Sequence, residues 1–109
     1  MPYDEQLAAR IRTQLARRRG LVEKRIFGGL AFLINGNMAC GISGRELIVR
    51  LDPDDTARAL QQRHTHIFSP TGRPMQGWIL VRPAGLTTAA ALKKWVQLGL
   101  TYARSLPPK

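Results

Sequence analysis

The stretch Leu30-Ala31-Phe32-Leu33-Ile34, followed by Asn35-Gly36 and then Asn37 to Ile42, constrains this chain more than any other. Asn-Gly between two apolar runs is the strongest short-range hairpin signal, because both central residues of a type I′ turn take positive φ. An antiparallel hairpin is therefore expected at residues 30–42. The first run is apolar at every position, so both faces of its strand must be shielded from water. Trp78 to Val81 has the same character. Either three helices divided between the two faces or a second subunit would supply the covers, and a homodimer is the expected state.

Other elements can be read outward from that hairpin. A strand over Glu23 to Phe27 leads into it, Gly28-Gly29 permitting a bulge or sharp bend between them. Ser43-Gly44 reverses the chain again, and Glu46 to Leu51 alternates, with Leu47, Val49 and Leu51 on one face and Glu46, Ile48 and Arg50 on the other. A first helix runs from an Asp4 N-cap to about Arg19, its apolar stripe formed by Leu7, Ala8, Ile11 and Leu15. Arg10 with Arg17, and Arg12 with Arg19, give it a basic, solvated outer face. Asp52-Pro53-Asp54-Asp55 starts a second helix that should reach about Arg63. Two prolines and a glycine make Ser69 to Pro74 a loop. Gly77 to Arg82 forms a strand, with a short partner near His66 to Phe68. A last helix runs from Thr87 or Thr88 to about Ser105, burying Leu92, Trp95, Val96, Gly99 and Ala103. Helix, antiparallel strands, helix, two strands, helix is an α+β order within one domain of 109 residues.

The formal charge of +10 is distributed unevenly. All seven carboxylate side chains lie at or before Asp55, and eight cationic ones follow it without a neutralising partner. Such a field attracts nucleic acid, anionic lipid surfaces or acidic proteins, although it also serves plain solubility. No apolar run approaches the roughly 20 residues of a membrane span. The acidic start lacks the pattern of a secretory signal, and the one cysteine, Cys40, fits a reducing compartment, so a cytoplasmic location is expected.

Candidate chemistry is sparse. Ser43 lacks the Gly-x-Ser-x-Gly spacing of a nucleophile elbow and reads as a turn residue. Cys40 lies in a strand among small and apolar neighbours and reads as core packing. His64 and His66 would share a side of an extended segment, but the zinc partners they would need are missing from the sequence. Asp52, Asp54 and Asp55 are explained by helix capping. Glu23 and Glu46 are the only acids in expected strands, with no sign that they converge. No catalytic residue, metal ligand or cofactor is therefore assigned.

Two segments, Glu23 to Met38 and Thr71-Gly72-Arg73-Pro74-Met75-Gln76-Gly77-Trp78, together with the tail Tyr102 to Lys109, closely resemble the N-terminal domain of the TfoX/Sxy family. These bacterial proteins are named for regulating natural-competence genes. The resemblance covers nearly the whole chain. It implies an α+β fold of the type-III-secretion-chaperone-like kind, ordered α-β(3)-α-β(2)-α, and a transcriptional co-regulator acting beside a cAMP-receptor-type activator. It carries no catalytic residues. Within the motif, Gly28, Gly29 and Gly36 are expected to serve backbone geometry, and Phe27, Phe32 and Trp78 to fill the core. Arg73, held between Gly72 and Pro74, is suited to meet a carboxylate or phosphate.

The function expected from these residues is a non-enzymatic protein-interaction module. The sheet edge or the loop at Ser69 to Pro74 would contact an activator or a second subunit. Direct nucleic-acid binding is the alternative. Lys24, Arg25, Arg73, Lys93 and Lys94 are the candidate partner-binding residues in either case. A small molecule held in a cleft at the sheet is a third class.

Overall fold

Asn35 and Gly36 take φ values of 52° and 84°, the two positive angles that a type I′ turn requires. The computed structural model describes residues 3–15, 18–26 and 28–109. Met1, Pro2, Ala16, Arg17 and Phe27 lie outside the described residues, and with them the pairing of Arg10 with Arg17 and the core role expected of Phe27. Strands Leu21–Ile26 (β1), Gly29–Ile34 (β2), Asn37–Ser43 (β3) and Glu46–Arg50 (β4) follow one another. Thr65–Ile67 (β5) and Trp78–Val81 (β6) complete a six-stranded antiparallel sheet of order β1-β2-β3-β4-β6-β5. The helices are Glu5–Leu15 (α1), Thr56–Ala59 (α2) and Ala89–Ser105 (α3). The fold is α+β, as expected. Four strands precede α2, as the turn signals indicate, one more than the family order α-β(3)-α-β(2)-α contains.

Helix ends follow local chemistry. The Asp4 carboxylate accepts from the backbone N–H groups of Gln6 and Leu7 at 2.9 and 3.2 Å, and the Thr88 hydroxyl accepts from Ala91 N–H at 3.0 Å. Asp52 accepts from Asp54 N–H, but the helix it opens is shorter than expected. A 3-10 turn over Pro53–Asp55 leads into the single α turn of α2. Thr65 Oγ1 donates to the carbonyls of Ala59 and Gln62. It thus satisfies acceptors that a further helical turn would have used.

The basic side chains of α1 do more than face water. Arg10 donates to the Leu86 carbonyl at 2.7 Å, and Arg12 makes two 2.8 Å bonds to the Glu23 carboxylate on β1. α1 is thereby tied to the sheet and to the segment before α3.

The core lies between one face of the sheet and the helices. Leu30, Phe32 and Ile34 of β2, Cys40 and Ile42 of β3, Leu47 and Val49 of β4, and Ile79 and Val81 of β6 meet Leu7, Ile11 and Leu15 of α1 and Leu92, Trp95, Val96 and Leu100 of α3. A register shift between Phe32 and Leu33 opposes an extra residue, Ala39, on β3, so that Ala39 joins Cys40 in the core. Gly99 lets α3 sit against this bulge: a Cβ there would lie 2.2 Å from the Ala39 carbonyl oxygen. The tail is latched across the hairpin, Lys109 N–H donating to Asn35 O at 2.8 Å and the buried Asn37 side chain to Pro107 O at 2.9 Å.

The helices are not divided between the faces. Among the described residues, all of those helical side chains that join the core do so on the same side of the sheet. Among the described residues, one of the two covers expected for the doubly apolar strands is therefore not supplied by a helix.

Candidate functional site

Side chains alternate across a strand, so the pairing register assigns each to a face. One row crosses all six strands as Glu23, Phe32, Cys40, Val49, Ile79 and Ile67, on the helix side. The next row crosses as Lys24, Ala31, Gly41, Ile48, Leu80 and His66, on the other side. Ala31 and Ile48 are buried, yet neither belongs to the main core. Ile48, with Leu80 of the same row, lines a groove of about 850 Å³.

The groove owes its walls to two features. Ile26 and Met38 border it from β1 and β3. At the other end, the chain between β5 and β6 folds back, with Met75 N–H donating to Phe68 O at 2.9 Å and Phe68 N–H to Trp78 O at 3.1 Å. That closure brings Ser69, Pro70, Thr71 and Met75 beside the sheet. The rings of Phe68 and Trp78 stand 6.4 Å apart at 47°, and the Arg50 guanidinium lies 5.1 Å from the Trp78 ring centre. Trp78 is half-buried and lines the groove, which corrects the core role expected of it. It pairs with Arg50 in the register, placing its ring on the face away from the helices.

The polar groups of the groove are few. His66 Nε2 donates to Glu46 Oε1 at 2.5 Å, both side chains being about one-third exposed. Ser43 lies beside them. Glu23, by contrast, is on the helix side, where the hydrogen bond from Arg12 lowers its pKa. Glu23 and Glu46 thus stand on opposite faces and do not converge. Burial pushes the Cys40 thiol up to about 12, the behaviour of a core thiol rather than a nucleophile. No cluster of three or more potential metal ligands occurs among the described residues.

The five candidate partner-binding cations are dispersed. Lys24 is exposed on β1 at the groove side, whereas Arg25, next in sequence, falls on the helix side. Arg73 is exposed in the β5–β6 connection, at the far edge of the sheet. Lys93 is exposed on α3. Lys94 donates to Gln62 Oε1 and lies 4.7 Å from the Trp95 ring centre. The register puts Lys24 on the groove face, and Arg73 belongs to the connection whose Thr71 and Met75 wall the groove. The His66–Glu46 pair was not singled out from the sequence. Its signal is the parity of Glu46 and Ile48, which share a face; its partner depends on β6 lying between β4 and β5.

The profile of the TfoX N-terminal domain matches residues 13–103. The chain belongs to the TfoX N-terminal domain family. This is not a known enzyme family. No curated protein and no solved structure matches the chain. Within this TfoX N-terminal domain, no helix among the described residues is long and apolar enough to cross a membrane.

Proposed function

We propose that this TfoX N-terminal domain is a non-enzymatic protein-interaction module in competence-type transcriptional regulation. The observation that carries the reading is the apolar groove on the sheet face opposite the helices. Contiguous apolar surface rimmed by polar residues marks interaction sites, because burying it on a partner releases water that exposure would otherwise hold. Membership of the family supports the regulatory setting. A transcription activator or a second copy of the chain is the partner class.

Direct nucleic-acid binding is the second reading, favoured by the eight cations and no carboxylate side chain beyond Asp55. Against it stands the dispersal of Lys24, Arg25, Arg73, Lys93 and Lys94 over both faces and both edges, since a duplex requires its phosphate contacts along one track.

The test is co-purification from the native host at low salt, with identification of the retained protein, beside gel shifts on unrelated duplexes at two salt concentrations. A regulatory protein retained in stoichiometric amount, with no duplex shift, is the expected outcome. Duplex binding whose log affinity falls by about 0.9 per phosphate contact with log salt, and no retained protein, would replace this reading with the second.

A further inference from the structure

We infer that the groove holds an acidic amphipathic helix of a partner protein, laid across the strands. This deepens the interaction-module reading and rests on it. The occupant's shape follows from the floor. The row Lys24, Ala31, Gly41, Ile48, Leu80 and His66 runs across all six strands, a span of about 24 Å at ordinary strand spacing, which a helix of roughly 16 residues matches. Its middle is apolar: Ile48 and Leu80 line the groove beside Ile26, Met38 and Trp78, and the Met38 methyl group covers Gly41, so a ridge of leucine-sized side chains would settle on an apolar bed of side chains. The opposite face already shows the arrangement: α3 lies against β3 and β4 through an apolar stripe.

The occupant's charge follows from the rim. Lys24 marks the β1 end and Arg73 belongs to the connection at the β5 end, both exposed. The Arg50 guanidinium is held against the rings of Trp78 and of Tyr102 on α3, 5.1 and 5.5 Å from their centres, and so is not one of these rim cations. Glu46 is the one carboxylate on this face among the described residues, and His66 already holds it. Carboxylates flanking an apolar stripe would therefore meet a cation at each end of the groove. A second copy of this chain fits worse, because two such faces, each with Lys24 and Arg73 at its ends on a chain of charge +10, would repel. Nucleic acid fits worse as well, since phosphates would lie over an apolar floor.

The experiment titrates the isotopically labelled whole chain with a synthetic peptide of roughly 16 residues, leucines on one helical face and glutamates on the other. A lysine-for-glutamate version, a scrambled version and a DNA duplex are titrated in parallel. Saturable shifts of the Ala31, Gly41, Ile48 and Leu80 amides and of the Trp78 indole, with the acidic amphipathic peptide alone, are expected. Leu80→Glu and the surface change Met75→Asp should each weaken binding by at least ~10-fold, and Arg73→Glu should weaken it severalfold, with the fold of each variant checked by its amide spectrum. Four results would overturn the proposal: no saturable shift, shifts confined to α1 or α3, equal binding of the lysine peptide, or the same amides moved by the duplex. Concentration-dependent shifts of these amides without peptide would assign the face to a second copy instead. Retention of the host partner by Leu80→Glu would remove the groove from the interaction while leaving the module reading intact.

Discussion

Two neighbouring rows of the same six strands have opposite fates. Phe32, Cys40, Val49 and Ile79 are wholly buried beneath α1 and α3. One residue along, the row Lys24, Ala31, Gly41, Ile48, Leu80 and His66 faces the other way, and its Ile48, Leu80 and His66 line the groove. Both rows are apolar in the middle, so hydrophobicity alone does not distinguish core from site. What separates them is where the helices go, and the connections decide that. α1 is fastened through Arg10 and Arg12, and α3 is seated at Gly99, both on one side.

The sharpest way to break this contrast is chemical. Cys40 should react with iodoacetamide only when the fold opens, roughly 10³-fold or more slower in the native chain than in denaturant, as followed by mass spectrometry. Met75, 36% exposed at the groove, should meanwhile be oxidised by peroxide in the native chain. Comparable Cys40 labelling in both conditions would mean that the covered face is not closed.

Stability measurements come next in size. Phe32→Ala should cost about 3–5 kcal/mol in urea unfolding, whereas Leu33→Ala, its half-buried neighbour on the groove side, should cost only about 1 kcal/mol. Equal losses would show that both faces are equally covered, as they would be in an obligate dimer. Gly99→Ala should cost about 1–3 kcal/mol, because the added methyl meets a backbone carbonyl that cannot swing aside.

Ion pairing gives the smallest effect. The Arg12–Glu23 pair is exposed enough to be worth only about 0.2–1 kcal/mol. The Glu23 carboxyl is held below its usual 4.5 by the Arg12 hydrogen bond. Its contribution is therefore fully present above that ordinary value and is lost as pH falls through the lowered one. The stability difference between the native chain and Glu23→Gln should shrink to nothing in acid, read from unfolding midpoints across pH.

Much of the architecture was legible because short-range backbone chemistry carries it. Asn35-Gly36 dictated the hairpin, Asp4 and Thr88 capped their helices, and the stripe of Leu7, Ala8, Ile11 and Leu15 was read directly. The doubly apolar β2 and β6 announced two faces in need of cover. Which face the helices would choose was not readable, since parity groups residues without saying which group turns inward. Trp78 was misread for that reason. The groove was hidden too, because its far wall depends on the fold-back at Phe68 and Met75, and its polar pair joins residues 20 apart through an out-of-order strand.

The seat of α3 at Gly99 reaches further than the core. A helix axis pressed onto the backbone of β3 acts as a keel, stiffening the centre of the sheet against twisting. The tray on the other side is consequently shaped before anything arrives. For the helix proposed to dock there, little ordering of the host would remain to be offset, and selectivity would fall to fit and charge rather than to induced rearrangement.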